Sequence, residues 1–150
     1  MQYTLRAAKA DDFEFVFQLN KANMRGYVEQ LRGWDDEAER ADMRRHFQPG
    51  AEQIIVFDGQ DIGRLAVTRH PDRIDLRHIE LLPQYQRQGI GTAIIQALLR
   101  EARQAHLPAT LMVLKLNPAQ RLYERLGFRT VEQIDAGPKG IKCRMEAPAS

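Results

Sequence analysis

The chain has 150 residues, 43% of them apolar, and sets 22 lysines and arginines against 20 aspartates and glutamates. That length suits one domain, residues 1–150, with a real core and is short for two, and a net charge of +2 gives no general electrostatic case for nucleic acid or a membrane surface. The basic residues are dispersed, no aromatic-basic alternation of the kind that stacks single strands occurs, and no apolar run reaches the roughly 18 residues of a membrane span, so neither partner is expected.

The opening Met-Gln-Tyr-Thr-Leu-Arg alternates like a strand and lacks the apolar core of a secretory signal, which leads us to expect a soluble cytoplasmic protein. A single cysteine, Cys143, excludes an internal disulfide and is expected to be a small packed residue. The histidines at 46, 70, 78 and 106 are scattered without ligand spacing, so no metal is expected.

In chain order, Tyr3 to Ala7 reads as a strand, and Lys9 to Asp12 supplies an N-cap for a helix carrying Phe13, Val16, Phe17 and Leu19. Asn23 to Asp36, with two glycines and the single tryptophan, reads as the end of that helix and a loop. Asp36 with Glu39 forms a capping box for a second helix that Gln48-Pro49-Gly50 stops after about His46. Ile54 to Phe57 and Gln60 to Thr68 flank Asp58-Gly59, a type I′ hairpin turn, and Gly63 marks a bulge. Arg73 to Leu82 alternates, with Ile74, Leu76, His78, Glu80 and Leu82 on one face.

A helix from Gly89 to His106 presents Ile90, Ile94, Ala97, Leu98, Ala102 and Ala105 as its apolar side. Thr110 to Leu114 must then run parallel to the strand before that helix. Asn117 caps or begins a last helix ending at Leu126, with Gly127 as the C′ residue, and Arg129 to Ile134 and Ile141 to Glu146 are two closing strands. The sum is an α/β (α+β) chain with a mixed, mostly antiparallel sheet of six to seven strands, a central parallel pair and helices on both faces.

Chemistry concentrates between Glu80 and Ala93. A strand passes through a proline-bounded turn into a helix that opens with Gly89, Ile90 and Gly91. Free backbone N–H groups and the macrodipole make such a start an anion site, and the glycines remove the Cβ atoms that would hold a pyrophosphate away. Arg87 and Thr92 are placed to contact its outer oxygens, with Gln88 beside them. There is no nucleoside triphosphate P-loop pattern, and Gly89-x-Gly91 lacks the third glycine of a Rossmann fingerprint.

Gln86-x-x-Gly89-x-Gly91 resembles the loop with which the GNAT N-acetyltransferase superfamily holds the pyrophosphate of acetyl-CoA. Asn117-Pro-Ala119-Gln-Arg-Leu122-Tyr123-Glu-Arg-Leu126-Gly127-Phe128 resembles a second segment of the same superfamily, in the right order and spacing. The resemblance implies the GNAT fold, acetyl-CoA as co-substrate without a metal, and transfer of an acetyl group to a primary amine by direct attack. It further implies that the backbone of Leu81 and Leu82 pairs with the pantetheine arm, that the Leu82 N–H meets the thioester oxygen, that Asn117 holds the pantetheine arm, and that Tyr123 contacts the sulfur as general acid. A Tyr123 merely packed between helix and sheet is the competing reading.

For a base, Glu80 lies beside the expected acetyl position, although a salt bridge to Arg77 or Arg73 explains it too. Acetyltransferases of a ribosomal protein's N-terminus place their base five residues before the Asn, where this chain has Met112. The stretch Gly26-Tyr27-Val28-Glu29-Gln30 with Gly33-Trp34-Asp35 resembles a poorly characterised bacterial subset of the superfamily. Tyr27, Glu29, Trp34 and Asp35 are the acceptor-side residues, the carboxylates and the indole suiting a cationic amine, with a core tryptophan beside a helix cap as the alternative. The expected acceptor is a small-molecule amine, with a peptide N-terminus or lysine as the enzymatic alternative and a non-catalytic acyl-CoA sensor as the other class. Exposed strand edges leave room for a homodimer.

Overall fold

The computed structural model describes residues 2–150. Seven strands form one sheet in the order β1-β2-β3-β4-β5-β7-β6. They are β1 (Tyr3–Ala7), β2 (Gln53–Phe57), β3 (Gln60–Arg69), β4 (Ile74–Leu81), β5 (Ala109–Leu114), β6 (Arg129–Asp135) and β7 (Ile141–Ala147). The helices are α1 (Phe13–Leu31), α2 (Asp36–His46), α3 (Ile90–Gln104) and α4 (Ala119–Arg125). β4 and β5 pair in parallel, while β1–β2, β2–β3, β5–β7 and β6–β7 pair antiparallel, so the mixed, mostly antiparallel sheet with helices on both faces is as expected. The chain divides into two compact units, one running to Ala66 with His78–Ile90 added, the other comprising Val67–Arg77 and Gly91–Ser150.

In the first unit, β1 and β2 pair antiparallel from Tyr3↔Phe57 to Ala7↔Gln53. The β2–β3 hairpin turns on Asp58 (φ 53°) and Gly59 (φ 76°), the two left-handed residues a type I′ turn requires. The register then slips between Ile55↔Gly63 and Val56↔Asp61, so Ile62 is the extra residue of a bulge beside Gly63.

Helix α1 differs from expectation. It runs unbroken through Asn23–Leu31, which reads in the sequence as a helix end and loop. Gly26 costs the helix about 1 kcal/mol relative to alanine, which the burial of Val28 and the pairing of Arg25 with Glu29 one turn apart offset. The cap of α2 is also displaced by one residue. Asp35, not Asp36, is the N-cap, its Oδ1 accepting the N–H groups of Glu37 and Ala38 at 3.1 and 3.3 Å.

Helix α2 buries no residue fully and is held by aromatic and charged contacts instead. The guanidinium of Arg40 lies 4.2 Å over the Phe17 ring and that of Arg44 4.0 Å over Phe13. Trp34 packs against Phe17 with ring centroids 6.2 Å apart and donates its Nε1–H to Asp36.

In the second unit the parallel ladder has three pairs, Ile74↔Ala109, Asp75↔Thr110 and Leu76↔Leu111, while β4 runs on to Leu81. Burial along β4 changes phase: Ile74 and Leu76 are buried, His78 is exposed and Leu81 is buried, so the strict two-face alternation fails past Arg77. Helix α3 buries Ile94, Ile95, Leu98, Leu99 and Ala102, a stripe rotated from the expected one, with Ala105 left exposed. Cys143, on β7 opposite Val113, is fully buried.

Candidate functional site

The first unit carries the end of β4 and the loop that follows. At Leu82 the strand stops because Pro83 cannot donate to a ladder, and Pro83–Tyr85 makes one 3₁₀ turn. Tyr85 pins it, packing on Phe57 and donating its hydroxyl to Gln60 at 2.9 Å. Gln86 folds back, its Nε2 donating to the Leu81 carbonyl at 2.9 Å and to Asn23 Oδ1 at 2.8 Å. Asn23 Nδ2 donates to the same carbonyl at 2.9 Å, so α1, strand end and loop share one acceptor. Gln88 is tied to the Gln84 carbonyl. Arg87 (φ 62°) and Gly89 (φ 86°) both take left-handed conformations, and the chain enters α3 at Ile90. This is what the sequence requires of a glycine at 89. In the second unit Gly91 and Thr92, both half-buried, occupy the first turn of α3, where N–H groups have no intrahelical acceptor.

The Leu82 N–H is donated to the Ile62 carbonyl at 2.8 Å. It is not free to meet a thioester oxygen while that bond stands. The bulge at Ile62 explains the contact, since the unpaired residue of a bulge has its carbonyl released from the ladder. Gly63 permits the close approach: a Cβ there would lie 2.2 Å from the Glu80 carbonyl oxygen and 2.9 Å from Leu81 Cδ2.

Glu80 is almost buried, with 12% of its side chain exposed. Its partner is neither Arg73 nor Arg77, the two that sequence proximity suggests, but Arg64 of β3. Arg64 Nε donates to Glu80 Oε1 at 2.9 Å, and Arg64 Nη1 donates to Glu52 Oε1 at 3.2 Å. The second Glu80 oxygen accepts from Asn20 Nδ2 at 3.0 Å. Glu52, whose side chain is 1% exposed, also takes the Gln48 N–H at 3.1 Å. Each carboxylate oxygen of Glu80 thus accepts one hydrogen bond and keeps a lone pair for another donor.

The expected acceptor-side residues all belong to this unit. Half-buried Tyr27 and exposed Glu29 are on α1, the latter facing Arg25 at 3.8 Å, and Trp34 and Asp35 fill the α1–α2 connection in the packing and capping roles described above. The hydrogen bonds that reach Glu80 come from none of them. Asn20, Asn23, Glu52 and Arg64 are the residues that sequence reasoning missed. Their signal was present: Asn20 falls one turn after Val16 on a buried stripe, and Arg64 interrupts the apolar run of β3, positions where a polar group must be paired.

Asn117 and Tyr123 belong to the second unit. Asn117 Oδ1 accepts the Ala119 N–H at 2.9 Å and so fixes the start of α4. Its far end is a Schellman motif: Gly127 N–H donates to Glu124 and Phe128 N–H to Tyr123, with Gly127 at φ 108°. The Tyr123 side chain is buried within α4 and meets Phe128. Among the described residues no group of three histidine, cysteine or acidic side chains is placed to hold a metal ion, and no helix is long and apolar enough to cross a membrane.

Residues 50–130 match the acetyltransferase (GNAT) domain family, a span that includes Glu80, the loop and the whole of Asn117–Phe128. The chain belongs to that family. No curated protein sequence matches it. Among solved structures it is similar to the PaiA N-acetyltransferase of Thermoplasma acidophilum in complex with coenzyme A, at 16% identity and a TM-score of 0.72 over 99% of each chain. It is also similar to Ard1 of Thermoplasma volcanium (18% identity, TM-score 0.68, 99% and 98% of the two chains). The ribosomal-protein-S18-alanine N-acetyltransferase of Escherichia coli is a third (20%, 0.66, 99% and 95%). At these identities the likeness is one of fold.

Proposed function

We propose that this GNAT-family chain is an acetyl-CoA-dependent N-acetyltransferase acting on a primary amine of a small molecule in a ternary complex. The observation that carries the reading is that one family match spans both the Gln86–Gly91 loop and the Tyr123 segment. The structural likeness to a coenzyme A complex supports the choice of co-substrate.

The pyrophosphate would be held by Arg87, Gln88, Thr92 and the first-turn N–H groups at Gly89, Ile90 and Gly91, a cradle whose left-handed residues fit it. Leu81, Leu82, Gln86 and Asn117 would line the pantetheine arm. The thioester supplies an activated acetyl group. An alkylamine with a pKa near about 10 arrives protonated, so Glu80 takes its proton directly or through a water. The free amine then attacks the carbonyl carbon, the C–S bond of the tetrahedral adduct breaks as the Tyr123 hydroxyl protonates the departing sulfur, and the proton the nitrogen sheds on becoming an amide returns to the Tyr123 oxygen through solvent. Glu29 and Asp35 add negative charge on the acceptor side.

A peptide N-terminus is the weaker alternative. Met112, half-exposed on β5, stands where the ribosomal-protein enzymes place a carboxylate.

The test is thermal stability with acetyl-CoA and with CoA, followed by thiol release from acetyl-CoA with amines, amino acids and peptides. A ligand bound only by the native state raises the melting temperature. Stabilisation with thiol release for an amine class supports the reading. Stabilisation without release from any acceptor favours an acyl-CoA sensor, and no stabilisation removes the loop as a CoA site.

A further inference from the structure

Two carboxylates share one guanidinium inside the first unit. Arg64 is 4% exposed and lies between Glu52, sealed from solvent, and Glu80, which retains a solvent-facing edge. Three buried charges with an excess of one negative are expensive to assemble, and a well-packed apolar cluster would hold the strands at least as firmly. Arg64 directs Nε to Glu80 and Nη1 to Glu52, and its planar fork fixes both carboxylates at once in a way an ammonium cannot. Asn20 holds the second oxygen of Glu80 from the opposite element, α1. The groups facing Glu80 are therefore Asn20 of α1, Arg64 of β3 and, beyond Arg64, Glu52 just before β2, with His78 the nearest titratable residue along its own strand.

We propose that Arg64, anchored by Glu52, is the positioning residue that fixes the Glu80 carboxylate for proton transfer from the acceptor. This rests on the assignment of Glu80 as base. The anchoring partner matters as much as the arginine: Glu52 holds one arm of the guanidinium and so fixes the orientation in which Arg64 Nε meets Glu80.

Two substitutions test the fork. In Arg64→Met the donor to Glu80 is gone, and in Glu52→Gln, nearly isosteric, the donor stays while its anchor loses its charge. In both, kcat per folded molecule should fall severalfold or more while KM for acetyl-CoA stays within about twofold of wild type. A purely structural role for Arg64 would lower stability without that split. A kcat unmoved in both variants would overturn the proposal.

The amine used in these assays is the one selected by thiol release. Arg64→Lys keeps the charge and loses the fork, and kcat should fall at least tenfold with KM for acetyl-CoA within about twofold of wild type. Glu80→Gln separates the two ideas. If Glu80→Gln is inactive while Arg64→Lys turns over normally, Glu80 stands as base and the positioning role falls. If Glu80→Gln is fully active, the base assignment fails and the proposal with it. Should Arg64→Met not fold, Glu52→Gln, with Arg64 intact, still decides by its kcat.

Discussion

The rings of Tyr123 and Phe128 meet edge to face with centroids 6.0 Å apart, and the Phe128 N–H donates to the Tyr123 carbonyl at 3.0 Å. The same two residues thus close a helix through the backbone and pack against each other through the side chains, with Gly127 between them at φ 108°. This is the physical content of the Leu-Tyr-x-x-x-Gly-Phe pattern: glycine turns the chain, and phenylalanine clamps the tyrosine. Phe128→Ala should cost about 3–5 kcal/mol, the range for a buried aromatic. Gly127→Ala should cost about 1–3 kcal/mol through backbone strain alone. Urea unfolding checks both, and a Phe128→Ala protein as stable as wild type would show that the clamp carries no energy.

Gly63 makes a second prediction. A methyl group there collides with the backbone of Glu80, which cannot retreat as a flexible side chain could. Gly63→Ala should destabilise by about 1–3 kcal/mol, and turnover should drop further than unfolding explains, because the strand that moves carries Glu80. Comparing activity per folded molecule with the melting curve separates the two effects.

The acid limb of stability should be set in part by Asp12. Its two oxygens accept Arg6 at 2.8 and 2.9 Å and one of them the Lys9 N–H at 2.8 Å. The Arg6 guanidinium holds the carboxyl below the usual carboxylate range, with the Lys9 N–H adding to it against the opposing effect of burial. A group depressed in the folded state contributes stability above its unfolded pKa, near about 3.9, and loses it as pH falls through the folded value. Asp12→Asn should therefore cost about 2 kcal/mol at neutral pH, and the gap to wild type should close progressively below about pH 4. Denaturation midpoints at pH 7 and pH 3 measure this; a gap constant across that window contradicts it.

Asp35 has a cap to make, and the prediction follows from that geometry. Asp35→Ala should cost about 1 kcal/mol, whereas Asp35→Asn, which keeps an oxygen for the Glu37 and Ala38 N–H groups, should change stability by a few tenths. A rise in the acceptor KM of Asp35→Asn would give the carboxylate a role at the acceptor beyond capping.

Most of the fold was legible because its signals are local. Asp58-Gly59 dictates a turn, the β4–α3–β5 order dictates a parallel pair, and Gly127 dictates a helix end. What escaped depended on partners remote in sequence. Asn23–Leu31 reads as a loop because Gly26 and Gly33 weigh against helix, yet the buried side of α1, reaching Val28, overrides that preference. Of the site, the loop and the Tyr123 segment could be seen as motifs. The arginine on Glu80 could not, because Arg64 is near it only through the β3–β4 neighbour relation, and the bulge at Ile62 that takes the Leu82 N–H has no sequence mark beyond the glycine next to it.

The measurement that bears most directly on the central claim is steady-state thiol release from acetyl-CoA by wild type and Tyr123→Phe, paired with calorimetric titration of CoA into each. Phe keeps the ring against Phe128 and removes only the hydroxyl, so an acetyltransferase using Tyr123 as acid should lose at least tenfold in kcat while CoA affinity stays within a few-fold. Equal turnover in the two proteins would return Tyr123 to a packing role, and a wild-type chain that binds neither CoA nor acetyl-CoA would contradict the account as a whole.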